Sequence, residues 1–297
     1  MTRTYHSARP KLACEIAPDR VIAGRAADSG QVLELCSTSE LAPGCVVPDL
    51  TEANLRERNS VVNALRNALG SVAGRGREVV AVLPDAAIRV VLLDFETLPD
   101  NQQEAKSVVR FRLRKSLPFD VDKATVSYHV QFSAAGMRVV AAVALSAVIE
   151  DYESAFREAG FSPGVVLPSM LAALGGAPGD TGTLVVKVDA RTTSIAILDK
   201  QQLLLFRTIE NTRGVTISGE QLAEDVYPSV VFFQDTYSTN IGQILVAGIS
   251  DIAGAAPALH SQTGAEVREL VKASQLGLGG GSIPKWRMAG VVGALLS

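Results

Sequence analysis

Two stretches of this chain are built on one plan, and that repetition limits the folds open to it. Thr183 to Asp189, Ser194 to Leu198 and Gln202 to Ile209 read as three short β-rich runs joined by two tight turns. Lys11 to Ile16, Arg20 to Arg25 and Val32 to Cys36 repeat the arrangement, with Ala-Pro-Asp and a Ser29-Gly30 turn between them. The two blocks lie about 170 residues apart, far beyond the period of a solenoid. Two similar lobes are therefore expected, and 297 residues is a length that suits about two domains.

Composition narrows the function classes. Lys plus Arg number 28 against 31 Asp plus Glu, a net charge of -3, so nothing points to nucleic acid or to bulk attraction by an anionic membrane. Aromatic residues make up 5% while Val, Leu, Ala and Ile abound, which fits a packed α/β protein better than a base-stacking or sugar-stacking surface. Cys14, Cys36 and Cys45 are odd in number and form no C-x-x-C pair, so neither a disulfide framework nor a zinc site is signalled. The first residues carry no apolar signal core, and the longest apolar run, Val139 to Ile149, is too short to span a bilayer. The expectation is a cytoplasmic protein with no membrane insertion of its own.

Between the blocks, Leu55, Val62, Leu65, Leu69 and Val72 recur at helical spacing, predicting a helix over Asp49 to Val72 capped by Asp49 or Thr51. Glu78 to Leu83 and Arg89 to Phe95 read as strands, Asn101 to Ser116 as a helix stopped before Leu117-Pro118. Thr125 to Phe132 and Met137 to Leu145 read as a hairpin around Ala134-Ala-Gly136, followed by a helix from Ser146 to Ala159. The segment from Pro84 to about Gly160 is thus a β-α-β-β-α module. After the second block come a helix from Ser218 interrupted at Pro228, a strand Gln243 to Ala247, a helical segment, a glycine-rich loop Leu276 to Ser282 and a last apolar helix, Lys285 to Leu296.

Several local patterns resemble the PilM-type proteins of type IV pilus assembly, which are similar to the division protein FtsA within the actin-like ATPase superfamily and to the L protein of type II secretion. Arg110-Phe-Arg-Leu-Arg-Lys-Ser-Leu-Pro-Phe119 with Asp120-Val-Asp122 and Val126-Ser-Tyr128 looks like that family's inserted module. Thr192-Thr-Ser-Ile-Ala-Ile197, Ser218-Gly-Glu-Gln-Leu222 and Ile244-Leu-Val-Ala-Gly248 look like its second phosphate turn, the helix start that follows, and its adenosine strand. The resemblance implies a two-lobed, ribonuclease H-like actin fold. It also implies a first lobe over 1–83, the module over 84–160, and a reduced second lobe with the C-terminal helix over 161–297.

In that superfamily ATP lies between the lobes, held by two Asp-x-Gly turns whose glycines let backbone N–H groups approach phosphate. Here the first turn reads Glu15-Ile-Ala17-Pro-Asp19, with alanine for glycine and a proline that removes a donor. The second reads Lys187-Val-Asp189-Ala190, placing a cation at the aspartate position and an anion where the phosphate oxygens would come. The stretch 210–247 is also short, where the family inserts a helical subdomain that walls the nucleotide cleft. Lys187, Thr192, Thr193, Ser194 and Gly248 remain as candidate phosphate and adenosine contacts, with a hairpin retained for the fold alone as the other reading.

Gly277 to Ser282 lacks the strand and the Gly-Lys-Ser/Thr ending of a P-loop and reads as a loop. Arg110, Arg112, Arg114 and Lys115 form a basic cluster that would dock an acidic partner or lipid headgroups, or be a solvated face. His6, His129 and His260 are too scattered for a metal or a triad, and Trp286 would anchor an interface or cover the core. Leu117, Pro118 and Phe119 are candidates to frame a peptide groove, although helix termination and packing explain them equally well.

The first functional expectation, carried by the resemblance, is a cytoplasmic scaffold of a type IV pilus or type II secretion machine, without ATP hydrolysis and without a cofactor. It would bind the N-terminal tail of a PilN-type inner-membrane protein between the first lobe and the module, and with it pilus motor components. It would sit at the inner membrane only through that partner. The alternative is a functional actin-like ATPase or sugar-kinase-like enzyme using ATP with Mg at an unusual phosphate site. A polymerising FtsA-like protein is a third possibility, but no basic amphipathic C-terminal membrane helix is evident.

Overall fold

The computed structural model describes residues 10–133, 136–279 and 283–296; His6, Ala134, Ala135 and the Gly280–Ser282 part of the glycine run lie outside them. The first block forms β1 (Leu12–Ala17), β2 (Arg20–Ala26) and β3 (Leu33–Glu40), followed by α1 (Arg58–Val72) and β4 (Glu78–Leu83). The module comprises β5 (Arg89–Phe95), α2 (Gln102–Leu113), β6 (Ala124–Ser133) and β7 (Gly136–Leu145). The chain then continues through α3 (Ser146–Glu158), β8 (Ser162–Pro168) and α4 (Ser169–Leu174). The second block is β9 (Thr183–Val188), β10 (Thr192–Asp199) and β11 (Gln202–Glu210). It leads into α5 (Gly219–Tyr237), β12 (Gln243–Ala247), α6 (Ile252–Thr263), β13 (Glu266–Glu269), β14 (Leu276–Gly279) and α7 (Ala289–Leu296).

The duplication read from the sequence holds in the sheets. The first runs β14-β3-β2-β1-β4-β8 and the second β11-β10-β9-β12-β13. In each, a tight antiparallel three-strand unit is extended by two parallel strands on the side of its first strand. The module has a separate antiparallel sheet, β5-β7-β6.

Strand parity sorts the side chains into layers. On β1, Leu12, Cys14 and Ile16 pack under α1 and α3, while Ala13 faces the opposite way. On β9, Leu184, Val186 and Val188 pack under α5 and α6, while Val185 faces back towards the first sheet. Between the two inward faces lie α4 and α7, with Met170, Ala172, Ala173, Val291, Val292 and Ala294 buried in one cluster with both sheets. The order is therefore helices, sheet, helix pair, sheet, helices, and the lobes share their central core.

That arrangement corrects several sequence expectations. Helix α3 belongs to the first lobe, so the module is β-α-β-β: Val148, Tyr152, Ala155 and Phe156 sit in the core of α1. Arg58 of α1 clamps α3 through Asp151, Ser154 (2.9 Å) and Glu158 (2.8 Å). Strand β8, α7 and β14, assigned above to the second lobe, also lie on the first sheet or its inner face. Proline and glycine hid β8, Ser-Pro-Gly-Val-Val-Leu-Pro, which is tolerable because it is an edge strand. Leu276 to Gly279 of the expected loop is the edge strand β14, parallel to β3.

Two helix boundaries also differ. Residues 49–57 precede the helix because side chains take over the backbone bonds. Asp49 accepts from the N–H groups of Thr51 (2.7 Å) and Glu52 (3.0 Å), and Asn54 donates to two carbonyls. In the other direction, α5 runs unbroken through Pro228, which lies on its exposed side with Glu224, the residue whose carbonyl loses its helical N–H donor to the proline ring.

Candidate functional site

The inward faces of β1 and β9 carry one charged residue each, and parity makes them meet. Glu15 lies on the same face as Ala13, and Lys187 on the same face as Val185. Lys187 Nζ stands 3.2 Å from Glu15 Oε1, and both side chains are buried. Ser169, the first residue of α4, donates its hydroxyl to the same Glu15 oxygen. The helix pair approaches closely enough for α7 to reach this point only because position 290 is glycine: a Cβ there would strike the Glu15 carboxylate.

A second carboxylate completes the cluster. Asp85 follows Pro84 at the end of β4; it accepts from the Met170 N–H (2.8 Å) and from Ser194 Oγ of β10 (2.8 Å). It therefore links the first sheet, the central helices and the second sheet. Burial pushes its carboxyl up to about 6, against the pull of the nearby Lys187 ammonium. For Lys187, burial works to lower the pKa, but Glu15, Asp189 and Asp85 outweigh it and hold the group above its ordinary value. It stays charged.

Of the phosphate candidates, only Lys187 and Ser194 belong to this cluster. Thr193 points the other way, fully buried on the α5 side, where its hydroxyl meets no hydrogen-bond partner among the described residues. Thr192 lies at the lip of a cavity with Arg191, Glu210 and Pro118. Gly248 ends β12 with φ +89, and its N–H donates to the Trp286 carbonyl (2.8 Å). A Cβ at that position would run into the Val188 carbonyl, so glycine is required there by backbone contact alone. Trp286 is half-buried beside it, with Arg287 stacked on its ring at 4.7 Å.

As a cradle for a Mg-bound triphosphate, these residues fit poorly. The N–H groups of Arg191 and Thr192, the donors a phosphate would need at the second turn, both bind Asp189 Oδ1 at 3.0 Å. The carboxylate of the turn thus already occupies its own anion nest. The Glu15 carboxylate that would face a metal is neutralised by Lys187. Sequence reasoning missed Asp85 and Ser169; a lone aspartate between two continuous apolar strands was the available signal.

Two grooves flank the module. One, of about 230 Å3, lies between the module and the first lobe, lined by Ile88, Ala142, Ala144, Ile149, Val166 and Pro168. At Ser127 it meets a more polar cavity of about 710 Å3 bounded by Asn101, Gln103, Lys106 and Tyr128. Leu117, Pro118 and Phe119 line neither. Leu117 and Phe119 are half-buried against the module core, and Pro118 borders the cavity of Thr192. In the basic cluster at the end of α2, Arg110 is tied to the module while Arg112, Arg114 and Lys115 stay exposed. Arg110 binds the carbonyls of Val121 and Ala124, Arg114 reaches Asp122 at 3.4 Å, and Arg112 covers the Phe95 ring at 5.4 Å.

No family model matches the sequence, and no curated protein matches it. Solved structures do match its fold. A chain of the PilM–PilN type IV pilus biogenesis complex superposes with TM-score 0.78 at 18% identity, covering 97% of this chain and 98% of that one. The cytoplasmic domain of EpsL, an inner-membrane component of the type II secretion system of Vibrio cholerae, gives TM-score 0.52 at 11% identity over 79% and 80% of the two chains. A Bacteroides thetaiotaomicron protein with an actin-like ATPase fold gives 0.52 at 11% identity over 90% and 93%. The chain has the two-lobed actin-like fold in its PilM-type form, as its sequence motifs led one to expect.

Proposed function

We propose that the protein is a cytoplasmic scaffold of a type IV pilus or type II secretion machine, binding the N-terminal tail of a PilN-type inner-membrane protein and hydrolysing no ATP. The observation that carries the reading is the end-to-end likeness to a chain of the PilM–PilN complex, module included. The apolar groove between module and first lobe supports a peptide ligand, because it combines aliphatic walls with the free edge of β8 on one side and that of β6 on the other. The loss of hydrolysis is supported by the Lys187–Glu15 pair, which ties together the two strands whose turns would otherwise receive the phosphates.

The protein would then act by holding a membrane-anchored partner against cytoplasmic motor components, itself peripheral at the inner membrane through that partner. Co-purification with the PilN-type protein of the same organism tests this. The partner is expected to come down with the full chain and to be lost with Ile149→Glu, which puts a carboxylate into the groove wall on a half-buried helix face. Capture unaffected by that change, or no capture at all, overturns the tail-groove reading.

A further inference from the structure

The second groove has an unassigned character of its own. It runs between the module and the second lobe, where the outer edge of β5 faces the outer edge of β11, at the opposite side of the module sheet from the tail groove. A cavity of about 730 Å3 opens there and continues into one of about 430 Å3, the two sharing Arg89, Val90, Phe206 and Arg207.

Charge and apolar surface coincide along it. Arg89 and Arg207 are exposed and make no ion pair among the described residues; Arg207 donates a hydrogen bond to Ser229 Oγ at 3.2 Å. Arg138 is held at the far end by Asp94 (2.7 Å) and the Tyr237 hydroxyl (2.8 Å). The groove is thus cationic on a chain whose net charge is -3. On its rim α5 exposes Phe232 (54%), one of the few large apolar side chains left to solvent among the described residues. Arginine beside an exposed aromatic ring is the composition of a protein-binding surface rather than of a solvated face.

We propose that this groove docks an extended acidic segment of a partner protein, its carboxylates on Arg89 and Arg207 and its apolar side chains against Phe232. The charge sets the occupant's sign, and the aromatic rim favours a peptide over a bare polyanion. The inference does not rest on the tail-binding reading: Arg89, Arg207 and Phe232 do not line the tail groove, and the two grooves' linings share Ile88 alone.

Fluorescence anisotropy of the full chain with a labelled alternating Glu–Leu peptide tests it, with a Lys–Leu peptide, a single-stranded oligonucleotide and an anionic phospholipid vesicle as controls. The Glu–Leu peptide is expected to bind at least about tenfold more tightly than the Lys–Leu peptide and to weaken with salt. Arg89→Glu with Arg207→Glu should abolish binding, and Phe232→Ser should weaken it, both with unchanged melting temperature and with Ile149→Glu retaining it. Equal binding of the two peptides, stronger binding of oligonucleotide or vesicle, or no effect of the arginine changes overturns the proposal. So does self-association of the free chain that Phe232→Ser removes, since the face would then bind a second copy.

Discussion

Lys187 is the residue on which the interior electrostatics turn. It is the cation among the Glu15, Asp85 and Asp189 carboxylates, and removing one partner of a buried pair leaves the other charged without compensation. Lys187→Met is expected to destabilise the protein by about 3–5 kcal/mol in urea unfolding. Adding Glu15→Gln to it should recover part of that loss, and strictly additive effects would show that the two side chains are not coupled. Asp85 gives a pH dependence. Its folded pKa of about 6 lies above the unfolded value of 3.8, so its contribution is complete below pH 4. The contribution is lost as pH rises to about 6, by roughly 3 kcal/mol. Asp85→Asn should flatten that segment of the stability curve; an unchanged slope between pH 4 and 6 would mean that another group titrates there. Strand alternation alone sets Glu15 and Lys187 on inward faces, whereas the approach of Asp85 to Ser194, far apart in sequence, required both lobes in place.

At the level of elements, the crossing of α4 and α7 holds the lobes together, and it depends on small residues. A Cβ at Gly293 would meet the Ala172 carbonyl, backbone against backbone, with no flexible side chain to give way. Gly293→Val is expected to cost about 2–4 kcal/mol, read as a lower urea midpoint. A midpoint equal to that of the unchanged protein would place the crossing elsewhere. The strands and most helices were legible because their periodicity is clean: β4, β5 and β12 have the bounds that their apolar runs predict. The elements that escaped are those where local chemistry and tertiary role disagree. Strand β8 contains two prolines and a glycine yet completes a sheet, and α3 follows the module in sequence but packs on α1, a contact invisible to local pattern.

For the whole molecule, the duplication, the shared central core and a likeness that covers 97% of the chain are those of an actin-like body; the proposed account adds that the Lys187–Glu15 pair stands where nucleotide chemistry would be and that a peptide groove is the working surface. Thermal melting of the same preparation with the PilN-type tail peptide, and separately with millimolar Mg-ATP, tests that account most directly. Ligand at about 30 times its dissociation constant stabilises by about 2 kcal/mol, enough to read as a shift in melting temperature. The account predicts that the tail peptide raises the melting temperature and that Mg-ATP leaves it unchanged; a rise with Mg-ATP and none with the peptide would contradict it.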